Sequence, residues 1–215
     1  MQGAAPANSL AAAVPGEDAA WVVVDLPLSA DAAQAFVADV ERLFRLNPHL
    51  EIESWEIIAA SDHGSRYRVR WTSDLDGVPR KLELAVVPGA APGFRVDYSA
   101  GIKRFTRVQV EPAGSGTAIL TLRDEYDTPQ GADRQQRLKE VDRSLVPWGA
   151  AIRRYLLGLQ RWGRWPLYRW YMTGYWVRMK PRERRVARLL IWTTVLEFVV
   201  FALVLAVLVA EQGRA

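Results

Sequence analysis

From Leu189 to Ala210 the chain reads LLIWTTVLEFVVFALVLAVLVA, and no other stretch limits the possible folds so strongly. About 22 residues pass with Thr193, Thr194 and Glu197 as the only polar interruptions, the length a helix needs to cross roughly 30 Å of hydrocarbon. Leu, Ile, Val and Phe each favour insertion by roughly 0.3–0.6 kcal/mol, and one central carboxylate opposes it by roughly 3 kcal/mol, so the apolar sum wins. A core helix of a globular protein keeps a polar stripe; Phe198–Ala210 has none. The composition predicts a transmembrane helix over residues 188–211, with 212–215 as a short tail. Arg178, Lys180, Arg182, Arg184, Arg185 and Arg188 crowd its N-terminal side, opposed only by Glu183, and that basic flank belongs in the cytoplasm. The expected arrangement is a single-pass protein of the inner (cytoplasmic) membrane with its N-terminal domain in the cytoplasm.

Glu197 lies within the span, and Thr193 (i−4) and Thr194 (i−3) share its face. An ionisable group at that depth is a candidate functional site. Three readings stay open: a contact with a partner membrane helix, a carboxyl bonded locally to threonine, and proton or ligand chemistry.

The remainder of the 215-residue chain is enough for one globular domain and a linker. Net charge is +4, and the basic excess falls largely between Arg134 and Arg188. Beside a membrane helix this points to anionic lipid headgroups; no nucleic-acid partner is expected. With no cysteine there is no disulfide, thiolate nucleophile or Cys-ligated metal. Residues 1–20, rich in Ala, Gly and Pro and lacking a basic n-region, read as a disordered leader rather than a signal peptide.

Trp21–Leu28 reads as a strand. Ser29 offers an N-cap for one helix carrying Ala32, Ala33, Phe36, Val37, Val40, Leu43 and Phe44 at helical spacing, stopped by Asn47-Pro48. Strands follow at Leu50–Ala60, Arg66–Thr72, Lys81–Val87, Phe94–Tyr98, Phe105–Glu111 and Thr117–Asp124. In the second of these Tyr67, Val69 and Trp71 alternate with Arg66, Arg68 and Arg70, the mark of a sheet with one wet face. A helical stretch over Asp133–Leu145 leads to a second helix with Pro147 in its first turn, whose face of Ile152, Tyr155, Leu156 and Leu159 would cover the sheet.

A strand, a helical segment, a six-strand antiparallel meander and a long C-terminal helix resemble the START-like or SRPBCC superfamily. Asp39-Val-Glu-Arg-Leu-Phe-Arg-Leu-Asn-Pro48 and Glu111-Pro-Ala-Gly-Ser-Gly-Thr117 are the local sequences that look familiar. The superfamily holds polyketide cyclases, lipid-transfer START domains, pollen allergens and coenzyme-Q-binding proteins. The resemblance covers about Trp21–Trp162 and implies an α+β helix-grip fold, a curved antiparallel sheet around a long C-terminal helix. It also implies an apolar cavity that binds a hydrophobic ligand. The expected division is a START-like domain over 21–163, a basic aromatic segment over 164–187 and the membrane helix.

The inward-facing set proposed to line the cavity is Trp55, Tyr67, Val69, Trp71, Leu84, Phe94, Tyr98, Leu120 and Leu122; aromatic walls suit flat or polyprenyl ligands. Residues for catalysis are few. His49 follows Pro48, His63 lies in a turn, and neither is spaced from another His as metal ligands are. Asp124, Glu125 and Asp127 cluster at a strand end, and Asp74 and Asp76 flank a turn, as exposed charges routinely do. Gly114-Ser-Gly116 is a hairpin, not a phosphate cradle, so no cofactor is expected. Between Trp148 and Trp176 aromatic residues interleave with arginine. Arg161, Trp162, Arg164, Trp165, Arg169, Trp170 and Trp176, with Arg184, Arg185 and Arg188, form an expected membrane interface, the part after Pro166 lying as an interfacial helix on the headgroups.

These readings converge on a membrane-tethered START-like module that binds a lipid, isoprenoid or quinone, with no catalytic residue assigned and enzyme activity left open. Two alternatives stand beside it. One is a non-catalytic accessory or assembly subunit of a membrane complex, docked through the Glu197 face. The other is an enzyme of the cyclase type using Asp124 or Tyr98.

Overall fold

The computed structural model describes residues 19–61, 63–89, 92–101, 103–126 and 133–212. The expected leader up to residue 18, Asp127 and the tail after Gln212 lie outside the described residues. Two compact units divide after Val177.

The first unit is built on one antiparallel sheet. Its strands are β1 (Ala19–Leu26), β2 (Leu50–Ser61), β3 (Gly64–Ser73), β4 (Pro79–Pro88), β5 (Gly93–Tyr98), β6 (Lys103–Gly114) and β7 (Thr117–Tyr126). β2 to β7 run as a meander, and β1 adds to β7, giving the order β1-β7-β6-β5-β4-β3-β2. Ala19 and Ala20 thus begin a strand rather than ending a leader; they pair with Glu125 and Asp124. Register shifts between Ile52 and Ser54 and between Ile57 and Ala59 mark irregular pairing in β2, at the sheet edge, and bulges of this kind bend a strand. The expected alternation is present: Val69 and Trp71 are buried while Arg66, Arg68 and Arg70 are exposed.

Between β1 and β2 the sequence reading of one helix is corrected to two, α1 (Ala30–Val37) and α2 (Val40–Arg45). Ser29 caps the first through the Ala32 N–H. Asp39 caps a new one, its carboxylate accepting from the Arg42 N–H at 3.0 Å. An aspartate that can satisfy orphan donors makes a break locally stable, and the apolar spacing continues across it.

The long helix α3 (Asp133–Trp162) is continuous through Pro147, which corrects the expected break. The helix loses one backbone hydrogen bond there, but its apolar face secures it. Leu145, Trp148, Ile152, Tyr155 and Leu156 are all buried in the core between the helices and the inner face of the sheet. The helix approaches β1 closely at Gly149, where an added Cβ would sit 2.7 Å from the Val24 Cγ2.

After Trp162 the chain forms a short helix α4 (Pro166–Trp170) that runs into a π-helical segment, Tyr171–Trp176. Met172 and Val177 are buried in the same core, and Trp176 stacks on Tyr155 with ring centroids 5.9 Å apart. This segment therefore belongs to the compact unit that ends at Val177, rather than to a separate interfacial stretch.

The second unit is a single helix, α5 (Pro181–Gln212). Glu183 accepts from the Lys180 N–H at 2.8 Å, and Pro181 fills the first position, a well-capped start. Every apolar side chain from Leu189 to Val209 other than alanine stands roughly half exposed or more. A core helix hides one face, whereas the stretch from Leu189 to Val209 hides none. At 1.5 Å per residue its length is about 48 Å, and it is a candidate membrane span.

Replacing glycine by alanine in an exposed helix adds about 1 kcal/mol of stability. At Gly149 the opposite sign is expected. Gly149→Ala should lower the unfolding midpoint of the detergent-solubilised protein by about 1–3 kcal/mol equivalent, through overpacking against β1, and Val24→Ala in the same chain should restore part of it.

Candidate ligand-binding cavity

The inner face of the sheet is not filled uniformly. Towards one end Val69, Leu84, Val96, Val108, Leu120 and Leu122 are wholly buried and packed. Towards the other end a cavity of about 120 Å³ remains. Its apolar wall is a box of rings. Phe44 of α2 lies nearly parallel to Trp71 of β3, with centroids 6.0 Å apart, and tilts against Trp148 of α3 at 5.3 Å. Tyr98 of β5 meets Trp71 edge-on at 6.2 Å. Exposed Leu75 and Asp76 of the β3–β4 turn and Ala100 and Gly101 of the β5–β6 turn bring the cavity to the surface.

Its polar wall comes from one buried network. Asp124 is fully buried, because it continues the inward row Ala118, Leu120, Leu122 of β7. Its carboxylate accepts from the Lys103 ammonium, the Thr106 hydroxyl and, at 3.1 Å, the Tyr126 hydroxyl. Tyr98 lies 2.7 Å from the Thr106 oxygen. A carboxylate only accepts, so the Thr106 proton points to Asp124, and Tyr98 must donate to Thr106. The Tyr98 oxygen therefore keeps its lone pairs for the cavity. Burial, and next the Asp124 charge, push the Tyr98 hydroxyl well above the usual phenol range, so it stays neutral. Lys103, Tyr98 and Tyr126 all line the cavity.

A second polar group stands at the mouth. His49 lines the cavity, and its Nδ1 lies 2.7 Å from the Asp74 carboxylate. Arg80 pairs with Asp76 there. Among the described residues no group of three or more His, Asp or Glu is placed to hold a metal ion.

No protein-family model matches the sequence. No curated protein matches it either. Solved structures do. A START superfamily protein from Mycobacterium smegmatis superposes with a TM-score of 0.54 at 18% identity, covering 66% of this chain and 98% of its own. Zhui aromatase/cyclase from a Streptomyces species gives 0.51 at 16% identity, covering 69% and 96%. A protein of Thermus thermophilus gives 0.51 at 19%, covering 65% and 97%. The domain has a START-like fold.

Within this START-like domain the nine residues expected to line a cavity separate. Trp71 and Tyr98 do line it. Trp55 packs on Phe44 and Tyr67 on Trp55, one and two rings behind the wall. Val69, Leu84, Phe94, Leu120 and Leu122 are buried in the packed core instead. Alternation tells which face a side chain takes, not which part of that face stays open.

Asp124 is corrected from an exposed strand end to the centre of a buried network. No motif in the sequence marks Lys103, Thr106 or Tyr126 as site residues, although Thr106 and Tyr126 continue the inward rows of β6 and β7. The His49–Asp74 pair joins residues 25 positions apart; only the pairing of Leu50 with Ser73 brings them together.

Of the expected membrane-interface residues, Arg161, Trp162, Arg164, Trp165, Arg169 and Trp170 are exposed, as are Arg185 and Arg188 on α5. Trp176 is partly buried against the core and Arg184 is buried. Among the described residues Glu197 makes no hydrogen bond and no ion pair, so its carboxyl is not satisfied by Thr193 or Thr194. Its side chain and theirs are exposed on α5.

A raised folded-state Tyr98 keeps its full contribution to stability below the unfolded phenol value near 10. That contribution is lost as pH rises towards the folded value, at up to about 1.4 kcal/mol per pH unit. Alkaline unfolding of the intact protein should therefore steepen above about pH 10. Tyr98→Phe should flatten the slope without removing it, because Tyr155 and Tyr168 are also raised by burial.

Proposed function

We propose that the protein is a membrane-tethered binding module for a hydrophobic small molecule. The observation that carries this is the ring-lined cavity with a polar wall: a packed core would leave no such space, and the polar side chains that line it, Tyr98, Lys103 and Tyr126, give a ligand its orientation. The size of the space narrows the ligand. An apolar cavity of about 150 Å³ holds benzene. A cavity of about 120 Å³ thus takes one ring or a short chain, and any longer tail stays outside the mouth. A quinone or another ring-headed isoprenoid meets that description better than a diacyl lipid.

The tether in this reading is α5, with its basic N-terminal flank on the cytoplasmic leaflet and the exposed Trp162, Trp165 and Trp170 among headgroups. Holding the domain at the bilayer would shorten the aqueous path of an apolar ligand. Gentle detergent extraction followed by native mass spectrometry tests the reading. A bound mass of a few hundred daltons, released from wild type and reduced in Leu82→Trp, which fills the cavity, is expected. Protein that is always empty, with no species enriched in its lipid extract, would refute it.

The exposed, unpartnered Glu197 favours a second reading, in which α5 docks on another membrane helix. A carboxyl in hydrocarbon costs several kcal/mol unless it is paired. In this case Glu197→Ala should release a co-purifying protein and leave the bound small molecule in place.

A further inference from the structure

We propose that His49 and Asp74 form a proton-accepting dyad at the cavity mouth, directed at the hydroxyl of a single-ring, phenol-like ligand. The proposal rests on the reading of the cavity as a ligand site and adds a chemical task to it.

His49 is held at its backbone N–H, its carbonyl and its ring. Its backbone N–H donates to the Oδ1 of buried Asn47 at 3.0 Å. Its carbonyl accepts from the Asp74 N–H at 3.0 Å. Its Nδ1–H donates to the Asp74 carboxylate at 2.7 Å. Pro48 restricts the backbone of Asn47, the residue before it. Stability is a poor reason for such an arrangement. The Asp74 side chain is 49% exposed, and a pair this open contributes at most about 1 kcal/mol. With the proton of the neutral ring committed to Nδ1 by the Asp74 carboxylate, Nε2 is the acceptor nitrogen of the ring.

The cavity selects the partner. Phe44, Trp71 and Trp148 offer faces and edges to a planar ring. The Tyr98 oxygen is an acceptor on the wall, and His49 stands at the mouth. A ring hydroxyl satisfies either. The other titratable groups on the wall are Asp76, Arg80, Lys103 and Tyr126. Asp76 is neutralised by Arg80 and Lys103 by Asp124, so neither competes as the base. In the step the ligand O–H bond breaks and an N–H bond forms at Nε2. The electron pair stays on the phenolate oxygen, and the Nδ1 proton stays on the ring, donated to the Asp74 carboxylate. Nothing is oxidised and no co-reactant is needed.

The test uses the full chain in detergent with 4-nitrophenol, which absorbs visible light only as its phenolate. Equilibrium dialysis against detergent alone reads occupancy, and absorbance reads ionisation, in buffer just acidic enough to keep free probe neutral. At equal occupancy, wild type is expected to show at least about fivefold more phenolate than His49→Gln, with Asp74→Asn between them, because the Asp74 carboxylate fixes the ring with Nε2 as its acceptor. Equal phenolate in wild type and His49→Gln would overturn the dyad while leaving the cavity reading intact. Asp74→Asn indistinguishable from wild type would remove Asp74 from it and overturn the pairing. Failure of wild type to take up the probe, with Leu82→Trp behaving identically, would overturn the ring site itself.

Discussion

The indole of Trp148 donates to the Leu43 carbonyl at 2.8 Å, and both residues are buried. This bond ties α3 to the last turn of α2 across 105 residues of chain. A buried indole N–H without a partner would cost about 1–3 kcal/mol, so the register between the two helices is set to within a side chain. From that point the helix runs along β1, close enough at Gly149 that an added Cβ would push the Val24 side chain aside. The same ring touches Phe44, which touches Trp71 and Tyr98. The anchor of the helix is thus also a wall of the cavity, and a change that loosens the packing also reshapes the site.

The inner face of the sheet shows how a cavity survives in a close-packed interior. Aliphatic side chains interdigitate and close one end. At the other end four large rings meet at centroid spacings of about 5–6.5 Å and cannot collapse further without losing their tilted and stacked contacts. Next to them the Asp124 network is rigid for a different reason. Each donor is committed, Lys103, Thr106 and Tyr126 to the carboxylate and Tyr98 to Thr106. A satisfied polar network in a low-dielectric place holds its geometry, because any rearrangement strands a buried group. The result is an apolar space with fixed acceptors on its wall and a histidine at its mouth.

The two units follow opposite solvent rules. In the first, apolar residues hide and arginines coat the outer face of the sheet, where Arg68 pairs with Glu83 and Arg95 with Asp97. Arg95, Arg104 and Arg107 also shield the ring of Phe105 on that face. In the second unit the large apolar residues from Leu189 to Val209 are exposed. Water tolerates the first arrangement, and hydrocarbon suits the second.

The sequence by itself determined the class of every element. Period-two alternation with turn residues marks six of the strands, period-3.6 spacing marks the helices, and an unbroken apolar run marks α5. These signals are local, because they reflect which face of one element meets an apolar neighbour. Even there, Asp39 and Pro147 misled in opposite directions. A cap can break an apolar spacing, and a buried helix face can carry a proline. Tertiary structure alone decided the site. The inward rows of β6 and β7 could be read, but not that Thr106 and Asp124 would stand side by side, nor that His49 and Asp74 would meet. Which inward residues close on one another and which leave a space depends on where α2 and α3 land across the sheet. That is set by Trp148, Leu43 and Gly149, which touch only after the whole chain has folded.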